Sequence, residues 1–267
     1  MESSARPSDD EIFGMKSGPD FIIIGAQKCG TTSLYHYLIQ HSQIQSRKRK
    51  ELHFFTSYYG NGLKWYQQFF RTKKVCGEST PYYLFHPNVA ERIALAYPTV
   101  KLIVLLREPV ERAFSHYNHE VSRGFEPLSF ETAIAIEETR LATGQQSAWQ
   151  HYSYVARGKY AEQLGIYRQY FDYSQILLLK SEDFFAHPQA TVDLVTEFLE
   201  LKKQRIADLK PQNEGEYLKA AIPSVDTLRE RFAVDLARLQ EQFGITWQQK
   251  SQSTLSESTG QLGLRTI

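Results

Sequence analysis

FIIIGAQKCGTTSLYHYL, residues 21–38, decides how this chain is read. A short β-branched, apolar run ends on Gly25, a polar loop follows, and a helical pattern begins at Thr31. Asp20–Gly25 suits a buried parallel strand. Thr31–His41 has helical spacing, with Leu34, Tyr37 and Leu38 on one face. Successive backbone N–H groups in a glycine-rich turn cradle phosphate oxygens, and the N-terminus of the following helix adds partial positive charge. Thr31, Thr32 and Ser33 bring further hydroxyl and amide donors. A nucleoside-triphosphate loop reads G-x-x-x-x-G-K-[ST]. Gly25 and Gly30 have that spacing, yet Thr31 and Thr32 follow, and the lysine sits inside the loop at Lys28. A triphosphate site also needs magnesium and a lysine at the helix start. Lys28 stands earlier, where its ammonium could reach a bridging or leaving-group oxygen.

Working outward, VKLIVLL at 100–106 is the strongest strand pattern in the chain, running into Arg107 and a helix opened by Pro109. Lys74–Glu78 and Gln175–Lys180 give two more strands. Helices are expected over Asn61–Phe70, Pro87–Tyr97, Ser129–Leu141, Tyr160–Phe171, Gln189–Leu201 and Val225–Phe243. This alternation predicts an α/β fold: one P-loop-like domain with a central parallel sheet flanked by helices on both faces. Ligands sit at the carboxyl ends of such strands, where the Gly25 loop and Arg107 both fall. The domain is expected over 19–247, with a flexible N-terminal lead over 1–18 and a polar C-terminal tail over 248–267.

The 267 residues suit one large α/β domain, and 42% hydrophobic residues with 16 Tyr and 16 Phe can fill a sizeable core. A net charge of +1 supplies no global field toward nucleic acid or anionic lipid, so any anion site must be local. The one basic run, Arg47–Lys50 (RKRK), reads as a solvated loop. Two cysteines, Cys29 and Cys76, are too few for a disulfide framework, and both read as reduced thiols in a cytoplasmic protein. No apolar run reaches about 18 residues, so no transmembrane helix is expected. The polar, acidic first residues are unlike a signal peptide.

GAQKCGTTSLYHYL resembles the 5′-phosphosulfate loop of sulfotransferases that use 3′-phosphoadenylyl sulfate (PAPS), whose usual form is close to [PK]-[SCT]-G-T-T-[SA]-L. It is most similar to the carbohydrate-directed and bacterial branch, which includes the heparan sulfate sulfotransferases. LLREPVERAFSHYNHEV, residues 105–121, resembles the 3′-phosphate motif R-[DNE]-P-x-[ED]-R-[AV]-x-S of the same family. The resemblance implies PAPS as co-substrate, 3′,5′-adenosine bisphosphate (PAP) as product, and no metal. It places Lys28, Cys29, Gly30, Thr31, Thr32 and Ser33 on the 5′-phosphosulfate, with Lys28 serving the leaving group. Arg107 and Ser115 fall on the 3′-phosphate, where a guanidinium and a hydroxyl can converge. Arg112 and Glu111 read as structural. YLKAAIPSVDTL, residues 217–228, is similar to the family's C-terminal donor loop but lacks its K-G-R, leaving Lys219 or nearby amides to cover the donor.

KELHFF, residues 50–55, resembles a K-E-x-H-F-F segment of heparan-type members whose glutamate is the proposed base. That points to Glu51 with His53 beside it, since residues two apart in an extended segment face one side. His119 lies one helical turn beyond Ser115; by resemblance it orients the acceptor or stabilises the sulfuryl group. His116 and His119 lack a carboxylate at recognisable ligand spacing to complete a metal site. GESTPYYLFHP, residues 77–87, resembles E-x-T-P-x-Y, which makes Glu78 an acceptor-site or a structural residue. Ser79 stands where some heparan-modifying relatives carry lysine. Arg157 and Tyr160, in RGKYAEQL, border the donor or acceptor pocket, with the core as the alternative for Tyr160. Tyr58, Tyr59, Trp65 and Tyr66 either stack on sugar or pack a helix. The implied reaction is sulfuryl transfer to a hydroxyl, or an amine, of a saccharide, glycolipid or acyl/polyketide acceptor. The alternatives are a variant P-loop nucleotide kinase, which would need magnesium, and a non-catalytic nucleotide- or glycan-binding protein.

Overall fold

The computed structural model describes residues 17–46, 49–212 and 222–247. In chain order the elements are β1 (Phe21–Gly25), α1 (Thr31–Leu38), α2 (Leu63–Gln67), β2 (Gly77–Ser79), α3 (Val89–Ala96), β3 (Lys101–Leu106), α4 (Pro109–Ser122) and α5 (Phe130–Ala135). There follow α6 (Glu137–Ala142), α7 (Gln146–His151), α8 (Tyr160–Tyr167), β4 (Ile176–Lys180), α9 (Ser181–Ala186), α10 (Pro188–Phe198) and α11 (Val225–Phe243). The four strands are all parallel, in the order β2-β1-β3-β4. Every residue of β1 is buried, as are all but the first of β3, which is why both read as continuous apolar runs.

The chain steps from β1 outward to β2 and then returns across the sheet to β3. The strand order therefore reverses between β1 and β3, the point where α/β sheets open a crevice for ligands. The Gly25 loop leaves the end of β1, Arg107 leaves the end of β3, and Ala26 N–H donates to Leu105 O at 2.7 Å to tie the two ends together.

Among the described residues the fold divides into two compact units: 17–107 with 166–212, and 108–165 with 222–247. The first holds the sheet. The second has its own core, in which Val110 and Ala113 of α4, Phe130 of α5, Tyr154, and Leu228 and Phe232 of α11 are buried together. There Asp235 of α11 accepts from Ala161 N and Glu162 N at 3.1 Å each. A carboxylate thus caps the first turn of α8 from outside the helix.

Two expected helices are broken. The one over 61–70 shrinks to α2, flanked by 3₁₀ turns, because Gly62 has a φ of 78 that a helix cannot include. The one over 129–141 divides into α5 and α6 at Ile136. α7 and α9 are short helices where none was expected.

Candidate active site

The loop between β1 and α1 is shaped by left-handed backbone. Lys28 has φ 69 and Gly30 φ 90. At Gly30 a side chain is excluded twice over: by the positive φ, and because a Cβ would stand 2.8 Å from Phe185 Cζ. Gly30 is also the N-cap of α1 and brings no capping side chain, so an anion at this helix start would take that role. Ser181 of α9 donates to Cys29 O at 2.7 Å and fixes the loop from the end of β4, two strands away from β1. The Cys29 thiol itself is buried.

The donor hydroxyls expected in this loop divide. Thr32 is half-buried and its Oγ1 accepts from Lys50 Nζ at 2.7 Å. Ser33 corrects the sequence reading: its side chain is buried, and its Oγ exchanges hydrogen bonds with the backbone of Gln212, accepting from Gln212 N at 2.8 Å. It anchors the segment around Gln212 to α1 rather than facing a ligand. Thr31 is likewise buried, so its contribution at the helix start is its amide.

Lys50 is the residue that sequence reading missed. Its ammonium bridges Thr32 Oγ1 at 2.7 Å and Glu51 Oε1 at 2.8 Å, and its side chain is only 18% exposed. It is the last residue of the RKRK run; Arg47 and Lys48 lie outside the described residues. Glu51 is 41% exposed on its side chain, and its Oε2 lies 3.3 Å from His53 Nε2. Burial pushes the Glu51 carboxyl up, but the hydrogen bond to His53 and the charge and hydrogen bond of Lys50 outweigh it and hold it down to about 2. Glu51 and His53 do not meet through an extended segment. His53 has φ 53, and the chain turns there, with Thr56 N and Tyr58 N both donating to His53 O. A non-glycine residue held in this region is a cost that the surrounding hydrogen bonds must offset.

Glu78 of β2 also departs from the acceptor-site expectation. It is 1% exposed. Four donors converge on it: Tyr66 Oη at 2.6 Å, Tyr83 Oη at 3.1 Å, Thr80 Oγ1 at 2.6 Å and Leu52 N at 3.2 Å. Burial raises its carboxyl against these hydrogen bonds. Through Leu52 N it holds the backbone between Glu51 and His53 in place, so it supports the site rather than touching a ligand. Tyr66 is core, stacked on Phe54 with ring centroids 4.5 Å apart. Tyr58 and Tyr59 stay exposed, with Arg49 over one ring and Arg92 over the other.

Of the remaining candidates, Arg107 ends the first unit at the close of β3, Lys219 falls outside the described residues, and the others lie in the second unit. Ser115 is buried on α4 and His119 half-buried one turn on. On the same helix, buried Glu120 lies 2.8 Å from His151 Nδ1 and 3.5 Å from His116 Nε2. Arg157 is buried and donates to Trp149 O at 2.8 Å and Gln150 O at 2.9 Å, the carbonyl end of α7. Tyr160 is fully buried. Both therefore serve packing in this unit, which is the core alternative for Tyr160 and a correction for Arg157, expected at the edge of the donor or acceptor pocket. Arg112 is fully buried and donates to Tyr154 O.

A strand-end phosphate cradle with an internal lysine, linked by Lys50 to a carboxylate, is the arrangement of a group-transfer enzyme acting on an anionic donor. A family model described as the sulfotransferase domain matches residues 18–220, and the chain belongs to the PAPS-type sulfotransferase family. It is 34% identical to a sulfotransferase from Alicyclobacillus acidocaldarius of known crystal structure, with a TM-score of 0.71 over 85% of this chain and 96% of that one. It is 40% identical over 136 residues to the membrane-associated sulfotransferase kil1 of Dictyostelium discoideum, covering 45% of this chain and 29% of the relative. It is 32% identical over 198 residues to heparan sulfate glucosamine 3-O-sulfotransferase 6 of Homo sapiens, covering 71% and 54%. The chain thus spans about half or less of the length of these curated relatives. The family assignment sets aside the variant nucleotide kinase. Among the described residues no helix is long and apolar enough to cross a membrane.

Proposed function

We propose that the chain transfers a sulfuryl group from PAPS to a hydroxyl, with Glu51 as general base and Lys28 at the leaving phosphate. The observation that carries this is the continuous chain Thr32–Lys50–Glu51–His53, with contacts of 2.7, 2.8 and 3.3 Å. A half-exposed carboxylate one lysine away from Thr32 at the start of α1 supports a base beside a donor anion. Glu51 takes the proton of the acceptor hydroxyl as the acceptor oxygen bonds to sulfur. The bond between sulfur and the bridging phosphate oxygen breaks, and the charge appearing on that oxygen is met by Lys28 and the loop amides. His53 keeps Glu51 oriented. Arg107, at the strand end beside the loop, binds the 3′-phosphate, as the family motif implies.

The acceptor we propose is a saccharide bearing anionic groups. Relatives named as heparan sulfate glucosamine 3-O-sulfotransferases support a sugar hydroxyl. The exposed Tyr58 and Tyr59 with Arg49 and Arg92 supply flat apolar faces and cations of the kind such a chain uses. The Cys29 and Cys76 thiols are both buried, and the setting we propose for them is reducing and cytoplasmic.

The test is thermal stability with PAP and, separately, with ATP plus magnesium. A ligand at about 100 times its Kd adds roughly 2.7 kcal/mol to the folded state, a clear rise in melting temperature. A rise with PAP and none with ATP supports the reading; a rise with ATP and magnesium alone overturns it.

A further inference from the structure

The Glu51 cluster holds a conflict. A general base works best when its pKa lies near the working pH, yet this carboxylate is held at about 2. In that condition it is a poor proton acceptor. The hydrogen bond from His53 lowers it, and the charge and hydrogen bond of Lys50, whose ammonium sits 2.8 Å from Glu51 Oε1, lower it further. The same ammonium sits 2.7 Å from Thr32 Oγ1 in the first turn of α1, where the phosphosulfate of the donor would bring its negative charge. A lysine ammonium is a compact charge on a flexible stem with three rotatable donors. An anion at Thr32 therefore competes directly with Glu51 for Lys50, and the stem, already between the two, can serve either without backbone movement.

We propose that Lys50 is a donor-sensing positioning residue: the anion held at Thr32 draws it off Glu51, so that the carboxylate becomes a competent base only when the donor is in place. This rests on the reading of Glu51 as base and of the loop as donor site. No proton is gained or lost at Lys50. The acceptor proton ends on Glu51, and Lys50 only changes the anion it faces. Among the described residues, Lys50 and His53 contact the Glu51 carboxylate, and Arg49 donates to the Glu51 backbone carbonyl. His53 stays with Glu51 in both states, which keeps the carboxylate aimed while Lys50 leaves.

The experiment follows the Glu51 carboxyl by NMR in protein carrying ¹³C-carboxyl glutamate, the resonance being assigned by its loss in Glu51→Gln. Without ligand its chemical shift is expected to stay flat from roughly pH 8 to pH 4, the window above the usual carboxylate range. With saturating PAP an inflection is expected to enter that window. Lys50→Met should show the inflection without PAP, and should bind PAP about tenfold more weakly or worse, the loss of one charged hydrogen bond. If PAP binds, Glu51 stays flat and Lys50→Met binds PAP as well as the wild type, the sensing role is wrong while the donor site stands. If the wild type binds no PAP, the donor reading fails and the sensing role with it. Should Lys50→Met not fold, the wild-type titration with and without PAP decides by itself.

Discussion

Glu51 and Glu78 are 27 residues apart in sequence and share one scaffold: the Leu52 amide, next to the first, donates to the second at 3.2 Å. Both carry the same carboxyl with the same ordinary value of 4.5, and the protein drives them in opposite directions. Glu78 is sealed among Tyr66, Tyr83 and Thr80, and burial raises it. Glu51 keeps 41% of its side chain exposed between a lysine and a histidine, and falls to about 2. A pair of carboxyls pushed apart by environment commonly divides the labour of a site. Here the division is spatial as well. The exposed group can meet an acceptor, and the sealed one can only hold the segment that aims it.

The largest effect that could break this contrast is on turnover. Glu51→Gln should lower kcat by about 10²- to 10⁴-fold, the range for losing a general base, while the PAP-induced melting shift persists. Retained turnover with a verified acceptor would remove Glu51 from the chemistry. Arg107→Ala sharpens the contrast from the donor side. It should weaken PAP binding in calorimetry by about 10- to 100-fold, the worth of a charged hydrogen bond, and leave kcat at saturating donor nearly intact. Glu78→Gln should act on the fold instead. Its amide turns a donor toward Thr80, Tyr66, Tyr83 or Leu52, and an unmet buried donor costs about 1–3 kcal/mol. That is a melting loss of several degrees, roughly 2–4 °C per kcal/mol for a chain of this class. A Glu78→Gln protein that melts like the wild type yet cannot turn over would break the contrast, because Glu78 would then belong to the chemistry.

How far the sequence could reveal this depended on where the partners of each residue lie. β3 was legible because a strand buried on both faces leaves an uninterrupted apolar run. α11 runs from Val225 to Phe243, as its periodicity indicates. The loop was legible because its glycines and hydroxyls are contiguous. Ser33 was not, since its hydroxyl is claimed by Gln212, 179 residues on. Glu78 stayed open between an acceptor contact and a structural role because its motif does not disclose that Tyr66 and Leu52 close over it. Lys50 was absorbed into a basic run whose ordinary fate is solvation; only the fold brings Thr32 to it. The six-residue helices α7 and α9 are too short to show a period, and they form because tertiary contacts hold them.

The finest test of the contrast is the dependence of stability on pH, because the two carboxyls must bend it in opposite senses. Between about 2 and 4.5 the unfolded chain binds a proton at Glu51 that the folded chain refuses. The stability Glu51 contributes is therefore present above 4.5 and drains away as the pH falls toward 2. At Glu78 the folded chain keeps its proton above 4.5, where the unfolded chain has released it. That contribution is present at low pH and is lost as the pH rises through the raised folded value. Denaturant unfolding of the wild type, Glu51→Gln and Glu78→Gln across pH measures both. The gap between wild type and Glu51→Gln should narrow as the solution is acidified below 4.5. The gap between wild type and Glu78→Gln should narrow as the pH is raised above 4.5. Two gaps with the same slope would mean that the carboxyls share one environment, and the contrast drawn between them would fail.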